Sequence, residues 1–530
     1  MVRSEYLTVA DRCGPGGQRL GTARLACAIA VIFAIIISGL MVSALWGRVD
    51  FPLGTHADEA SKVDSVINGR NPSYHPILML QFARAANAFA GLSNRQAIVE
   101  LGRRCALISA GLAVFATFLL AGMVLPLPAA LAASLAAAVV PLTTVHARYF
   151  KEDIFTLPFI LMALVFLIAT LKAPSNARGI LLGVAIGLAA AAKYVSATIL
   201  PFAIVVLLAY SVGTIKQRAR LATLVAVVAI GVFGLVEIPA LLTFTQFQSA
   251  VEFELAHASR GHDVRLPISL TYGLFHLRES LLPGLGLPLL ILGLLGLAVP
   301  WLSPPERRRP LIVIAAFALL WYAMHEISPL KPFPGFARYM LPLAPILIIL
   351  GAAFVSEFFR LFGLDNIMAA LVIVGAALPA FYASLLINGP IQDDLRSVVP
   401  AIVLSSEPRT AFDSYTRFRG VGGVGRQASI RAPATAATDD VLVTSSFTYG
   451  RYAQFGNINQ PKKTRAVATY YADLFKLPYL EVVSGRPSYG FFNPVIRIIA
   501  LDGRSDRLVP IAAALSRSDP TLELRFTNAN

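Results

Sequence analysis

Residues 125–171 read "LPLPAALAASLAAAVVPLTTVHARYFKEDIFTLPFILMALVFLIATL". Two apolar runs, 125–145 and 154–171, enclose "HARYFKED" at 146–153, eight residues that hold a His, an Arg, a Lys, a Glu and an Asp. About twenty apolar residues are needed to cross the hydrocarbon core of a bilayer as helix. The stretch therefore reads as two membrane-spanning helices joined by a charged turn at one surface.

The rest of the chain has the same character. Of 530 residues, 56% are hydrophobic and 14% charged, and mean hydropathy is +0.68. Soluble domains average about 25% charged residues. The composition is that of a polytopic α-helical membrane protein. The net charge of +15 fits orientation signals and anionic lipid head groups; the basic residues are scattered between spans and form no nucleic-acid motif. Cys13, Cys27 and Cys105 lack metal-site spacing.

Eleven runs read as spans: 25–46, 105–124, 127–146, 154–172, 178–192, 195–213, 221–243, 281–301, 310–325, 339–357 and 367–388. The fifth is short and rich in Ala and Gly, which predicts tight helix packing. With the basic leader 1–24 in the cytoplasm, "LKAPSNARG", "TIKQRAR", "SPPERRRP" and "FRLFGLDN" all fall inside, as short basic loops should. Trp46, Trp301 and Trp321 stand at or near span ends, where aromatic rings favour the interface. The expected organisation is a membrane domain over 25–389 and an extracytoplasmic domain over 390–530. The tail has the size of one small α/β or α+β domain, with strands near 440–446 and 494–501.

On this map the outer loops are 47–104, 146–153, 244–280 and 326–338. They gather His56, His75, His257, His262 and His276, while His146 and His325 sit at outer span ends. Asp58 and Glu59 follow the first span, and Glu152 and Asp153 open the fourth. Ionisable groups at a membrane boundary are costly unless paired or hydrated. Lys193, in "GLAAAAKYVSATILP", and Arg338, in "GFARYMLPLAP", have apolar flanks. Arg148, Lys151, Arg260, Arg265 and Lys331 add positive charge to a face that should be poor in it. An anionic counterpart such as phosphate answers that excess.

The ordered set "DE" after the first span, "KED" opening the fourth, "GLAAAAKYVSATILP", "FELAHASRGHD", "RYMLPLAPILIILGA", "DVLVTSSFTYGRY" and "GFFNPVIRIIALDG" resembles the GT-C membrane glycosyltransferases. More narrowly it is similar to the protein O-mannosyltransferase clan, which includes the lipid A aminoarabinose transferases. The resemblance implies a GT-C fold, a polyprenyl-phosphate-linked sugar donor, and a lipid, glycan or protein acceptor at the outer face. It places Asp58 at the first catalytic acidic position with Glu59 as its partner. Asp153 stands at the second, with Glu152 the alternative. The resemblance implies that Lys193 and Arg338 contact the donor phosphate; Arg148 and Lys151 are further candidates for that contact, and His262, Arg260 and His56 for its support. A phosphate leaving group needs cationic stabilisation more than a strong acid; the acceptor hydroxyl needs a base, which a carboxylate supplies. A divalent ion bridging Asp58 and Asp153 is compatible with this chemistry. The competing reading is a transporter or lipid-linked sugar flippase, favoured by Glu237 inside the seventh span. The lack of repeated halves and the gathering of charge on one face oppose it.

Overall fold

The computed structural model describes residues 20–56, 58–69, 76–260, 264, 274–329, 335–407, 409–413, 415–416, 426–427, 439–453 and 460–527. The helices of the first half are α1 (Leu20–Trp46), α2 (Glu59–Asn68), α3 (Leu78–Ala90), α4 (Arg95–Gly122), α5 (Leu127–Val139), α6 (Pro141–His146), α7 (Glu152–Lys172), α8 (Asn176–Ala192), α9 (Ile199–Tyr210), α10 (Ile215–Leu241) and α11 (Phe244–Arg260). Then follow α12 (Leu287–Gly296), α13 (Pro305–Ile327), α14 (Leu343–Leu361) and α15 (Asn366–Ile387).

Among the described residues, seven helices are long and apolar enough to cross a membrane: α1, α4, α7, α10, α13, α14 and α15. Leu277–Leu285 and α12 make an eighth if taken together, bent by 111°. The bend falls at Gly286, whose φ of 76° and ψ of 153° belong to a region open essentially to glycine. Two of the eleven expected spans are shorter than drawn. Residues 127–146 split into α5 and α6, because Val140 is extended ahead of Pro141 and a residue before proline is disfavoured as helix. The sixth is a helix of 12 residues, Ile199–Tyr210; the fifth, Asn176–Ala192, matches its expected bounds within two residues.

Tight packing of the fifth span has a visible cause. Gly179, Gly183 and Gly187 form one stripe of α8 against α10. A Cβ on Gly183 would lie 2.9 Å from the Val225 carbonyl oxygen, and one on Gly187 2.7 Å from that of Ala229. The stripe lets two backbones approach as side chains would not allow.

The C-terminal domain comprises α16 (Leu395–Ser406), β1 (Thr410–Phe412), β2 (Arg426–Gln427), β3 (Val441–Ser445), α17 (Ser446–Ala453), α18 (Lys462–Leu474), β4 (Tyr479–Val483), β5 (Ile496–Ala500), α19 (Leu508–Ser518) and β6 (Glu523–Thr527). Both expected strands are present. The sheet order is β2-β1-β3-β5-β4-β6, parallel among β2, β1 and β3 and antiparallel beyond. Alternation along β3 sends Val441 and Val443 toward α16 and α19, and Leu442 toward α17 and α18, so both sheet faces are covered. Tyr489, Phe491 and Phe492, on the loop between β4 and β5, are buried in the main core of the membrane domain. This loop ties the sheet domain to the end of the helical bundle where the charges lie.

Candidate active site

All eight residues of "HARYFKED" are buried. Buried charges are tolerated only when paired, and each charge here has a partner. Lys151 Nζ lies 2.6 Å from Asp58 Oδ2 and 2.9 Å from Glu152 Oε1. The other Glu152 oxygen lies 2.6 Å from Lys62 Nζ. Asp153 binds Lys193 through Oδ1, and its Oδ2 lies 3.4 Å from Arg338 Nε. His56 joins the two sets: its Nδ1 accepts the Asp58 N–H at 3.2 Å, and its Nε2 lies 3.4 Å from Arg338 Nη1. Lys193 and Arg338 also rest on aromatic faces, 4.3 Å from the Tyr339 ring and 5.0 Å from the Phe336 ring.

The cluster thus joins Asp58, Glu152, Asp153, Lys151, Lys193, Arg338 and His56, all singled out from sequence. With Lys62, which pairs with Glu152, four cations face three carboxylates, and burial holds His56 well below the ordinary histidine range, hence neutral. One positive charge is in surplus. Burial would raise the Asp58 carboxyl, but the charges of Lys151 and Arg338 hold it well below the usual carboxylate range. Burial would lower Lys151, but Asp58 and Glu152 hold it above the usual lysine range. Asp58 is the accessible acid: its side chain is 33% exposed, against 6% for Glu152 and 3% for Asp153.

Two expected site residues are placed elsewhere. Glu59 is fully buried against Arg103 in a bidentate pair, with contacts of 2.9 and 2.6 Å, and it accepts the Phe150 N–H at 3.0 Å. Its carboxylate braces α2 against α4 and is not in the cluster. Arg148 donates to the Arg48 carbonyl at 2.7 Å and to Asn388 Oδ1 at 2.9 Å, with its guanidinium 4.6 Å from the Phe492 ring. These partners tie it to Arg48, Asn388 and Phe492 and not to the carboxylates of the cluster. His262 and the side chain of Arg260 lie outside the described residues. Among the described residues, no group of three His, Cys, Asp or Glu side chains forms a metal cage, and the carboxylates of Asp58 and Asp153 are already held by cations. Among the described residues, those present form no dedicated metal site.

Lys62 and Arg103 were missed in sequence. Lys62 left a signal: on α2, Glu59, Lys62, Val63 and Val66 are buried at helical spacing, so two charges ride an apolar face. Glu237 is spent on structure. It accepts the Ile77 N–H at 3.0 Å, capping α3, and lies 3.4 Å from Tyr194 Oη.

Asp153 and Glu152 diverge on α7 because successive helical residues turn by about 100°. The Glu152 face continues as Phe155, Phe159 and Met162. These line a cleft of about 410 Å³ between α3, α4 and α7, with Phe82, Ile108 and Leu112 opposite.

Residues 75–236 match the family model described as dolichyl-phosphate-mannose-protein mannosyltransferase. The Archaeoglobus fulgidus oligosaccharyltransferase, solved with zinc and sulfate, is similar over 88% of this chain and 72% of its own, at 14% identity and a TM-score of 0.53. The archaeal oligosaccharyltransferase AglB of that organism, solved with an inhibitory peptide and a dolichol-phosphate, gives 0.52 at 14% identity, covering 88% and 74%. ArnT from Cupriavidus metallidurans, bound to undecaprenyl phosphate, gives 0.49 at 14% identity, covering 91% and 98%. No curated protein matches the chain in sequence. The chain is a multi-pass membrane protein with the GT-C glycosyltransferase fold. Within that class, the mannosyltransferase match spans α3 to α10 and so includes Glu152, Asp153 and Lys193.

Proposed function

We propose that the protein is a membrane glycosyltransferase that moves a sugar from a polyprenyl-phosphate donor to an acceptor hydroxyl at the outer face of the membrane. The observation that carries this reading is the convergence of Lys193 and Arg338 on Asp153, in a cluster with one surplus positive charge. A lipid phosphate entering there exchanges the Asp153 carboxylate for its own oxygens. The description of the matching family and the dolichol-phosphate held by the oligosaccharyltransferase support a polyprenyl donor. The outer-face placement is supported by the basic short loops, which favour a cytoplasmic start for α1 and an outer C-terminal domain.

In the reaction, the acceptor oxygen attacks the anomeric carbon and its proton passes to Asp58. The bond from that carbon to the phosphate oxygen breaks, and the electron pair stays on the phosphate, stabilised by Lys193 and Arg338. A single displacement inverts the anomeric centre. Asp58 is the base because it is the acid that an acceptor reaches from water. The test is an assay with purified protein in lipid nanodiscs, using a panel of polyprenyl-phosphate sugars labelled in the sugar. Release of label from the lipid, with the opposite anomeric configuration in the product, supports the reading; lipid left intact across the panel refutes it.

A further inference from the structure

The loop between β4 and β5, residues 484–495, carries "GFFN" into the membrane domain. Its backbone shape is specific. Gly490 has φ +60°, and a Cβ there would lie 2.9 Å from Val145 Cγ1 and 3.3 Å from Tyr149 Oη. Tyr489 Oη donates to the Ser280 carbonyl at 3.0 Å, and the Phe491 N–H donates to Tyr149 Oη at 3.1 Å. From the domain side, Arg396 donates to the Phe491 carbonyl, and Asp394 Oδ2 accepts the Asn493 N–H at 2.9 Å.

This bracing delivers one side chain to the charged cluster. The Phe491 ring meets the His56 ring edge-on, with centroids 4.7 Å apart; Tyr149 flanks the same imidazole at 5.2 Å. His56 in turn accepts the Asp58 N–H and lies against Arg338. Phe491 and Tyr149, themselves 6.0 Å apart, form a corner into which the imidazole packs, and its orientation there sets the N-terminus of α2, where Asp58 sits.

We propose that Phe491 is a positioning residue of the membrane-domain site: through this loop the C-terminal domain fixes His56 against Asp58 and Arg338. The sheet domain is then a working part of the site rather than an appended module. Only the effect on rate rests on the transferase reading above.

The test uses the full chain in detergent, with Phe491→Ala and Phe491→Tyr. Carbethoxylation of histidines by diethyl pyrocarbonate is followed by mass spectrometry. His56 is 2% exposed and His325 8%, so both start protected. Phe491→Ala should speed His56 modification at least about tenfold while His325 stays protected; Phe491→Tyr, which keeps the ring, should behave as the parent. In transfer assays Phe491→Ala should lower kcat about tenfold at unchanged donor KM, with recovery in Phe491→Tyr. Continued protection of His56, equal loosening of His325, or an exposed His56 with unchanged kcat would each overturn the proposal. Absence of transfer by the parent protein would refute the transferase reading alone, and the labelling would still decide whether Phe491 fixes His56.

Discussion

The ammonium of Lys151 lies 2.6 Å from the Asp58 carboxylate, joining the turn before α7 to the N-terminus of α2. Burial pushes Asp58 up, but Lys151 outweighs it and holds the carboxyl well below the usual range. A carboxyl lowered in the folded state stabilises the protein above its unfolded value of about 3.9, and that contribution is lost as pH falls through the folded value. Asp58 is therefore ionised throughout the neutral range. The pH–rate profile should show no acidic limb from Asp58 above about pH 4. Lys151→Met leaves burial less opposed, so the limb should move upward. An unmoved limb in that variant would show that Lys151 does not govern Asp58.

The donor phosphate is expected to replace Asp153 as the partner of Lys193 and Arg338. Losing one hydrogen bond to a charged group costs about 1.5–3 kcal/mol, or roughly 10- to 150-fold in affinity. Lys193→Ala and Arg338→Ala should each weaken binding of undecaprenyl phosphate by that factor, measured by thermophoresis in detergent. Arg148→Ala should leave it near normal in the protein that folds. Equal losses in all three would argue that the effect is general positive charge, not a built phosphate contact.

Glu59 is predicted to matter for folding rather than chemistry. Its pair with Arg103 is fully buried, and removing one partner of such a pair costs about 3–5 kcal/mol. Glu59→Gln should lower the midpoint of thermal unfolding in detergent and the yield of monodisperse protein. A Glu59→Gln protein as stable as the parent, yet inactive, would return Glu59 to the catalytic set.

The long spans were legible because hydropathy needs no tertiary information. What it could not show was where a span breaks: Pro141 and Gly286 interrupt apolar runs without lowering their hydropathy. The charged cluster was legible as loops facing one side, since Lys151, Asp153, Lys193 and Arg338 lie at span ends and Asp58 in the first loop of the same face. The pairing was not. Glu59 and Asp58 are neighbours in sequence, but helix geometry sends one inward to Arg103 and leaves the other beside Lys151. Arg148 looked like one more outer cation until Asn388, 240 residues away, was seen to accept from it. Such long-range partners leave no local signal.

The central claim is that Asp58 accepts the proton of the acceptor hydroxyl as the sugar leaves its lipid phosphate. The most direct measurement compares parent and Asp58→Asn in transfer of labelled sugar from the best polyprenyl-phosphate donor, with undecaprenyl phosphate binding measured on the same preparations. The account predicts unimpaired binding and a rate lower by roughly 10²- to 10⁴-fold, the usual contribution of a general base. Near-normal transfer by Asp58→Asn, with binding intact, would contradict it.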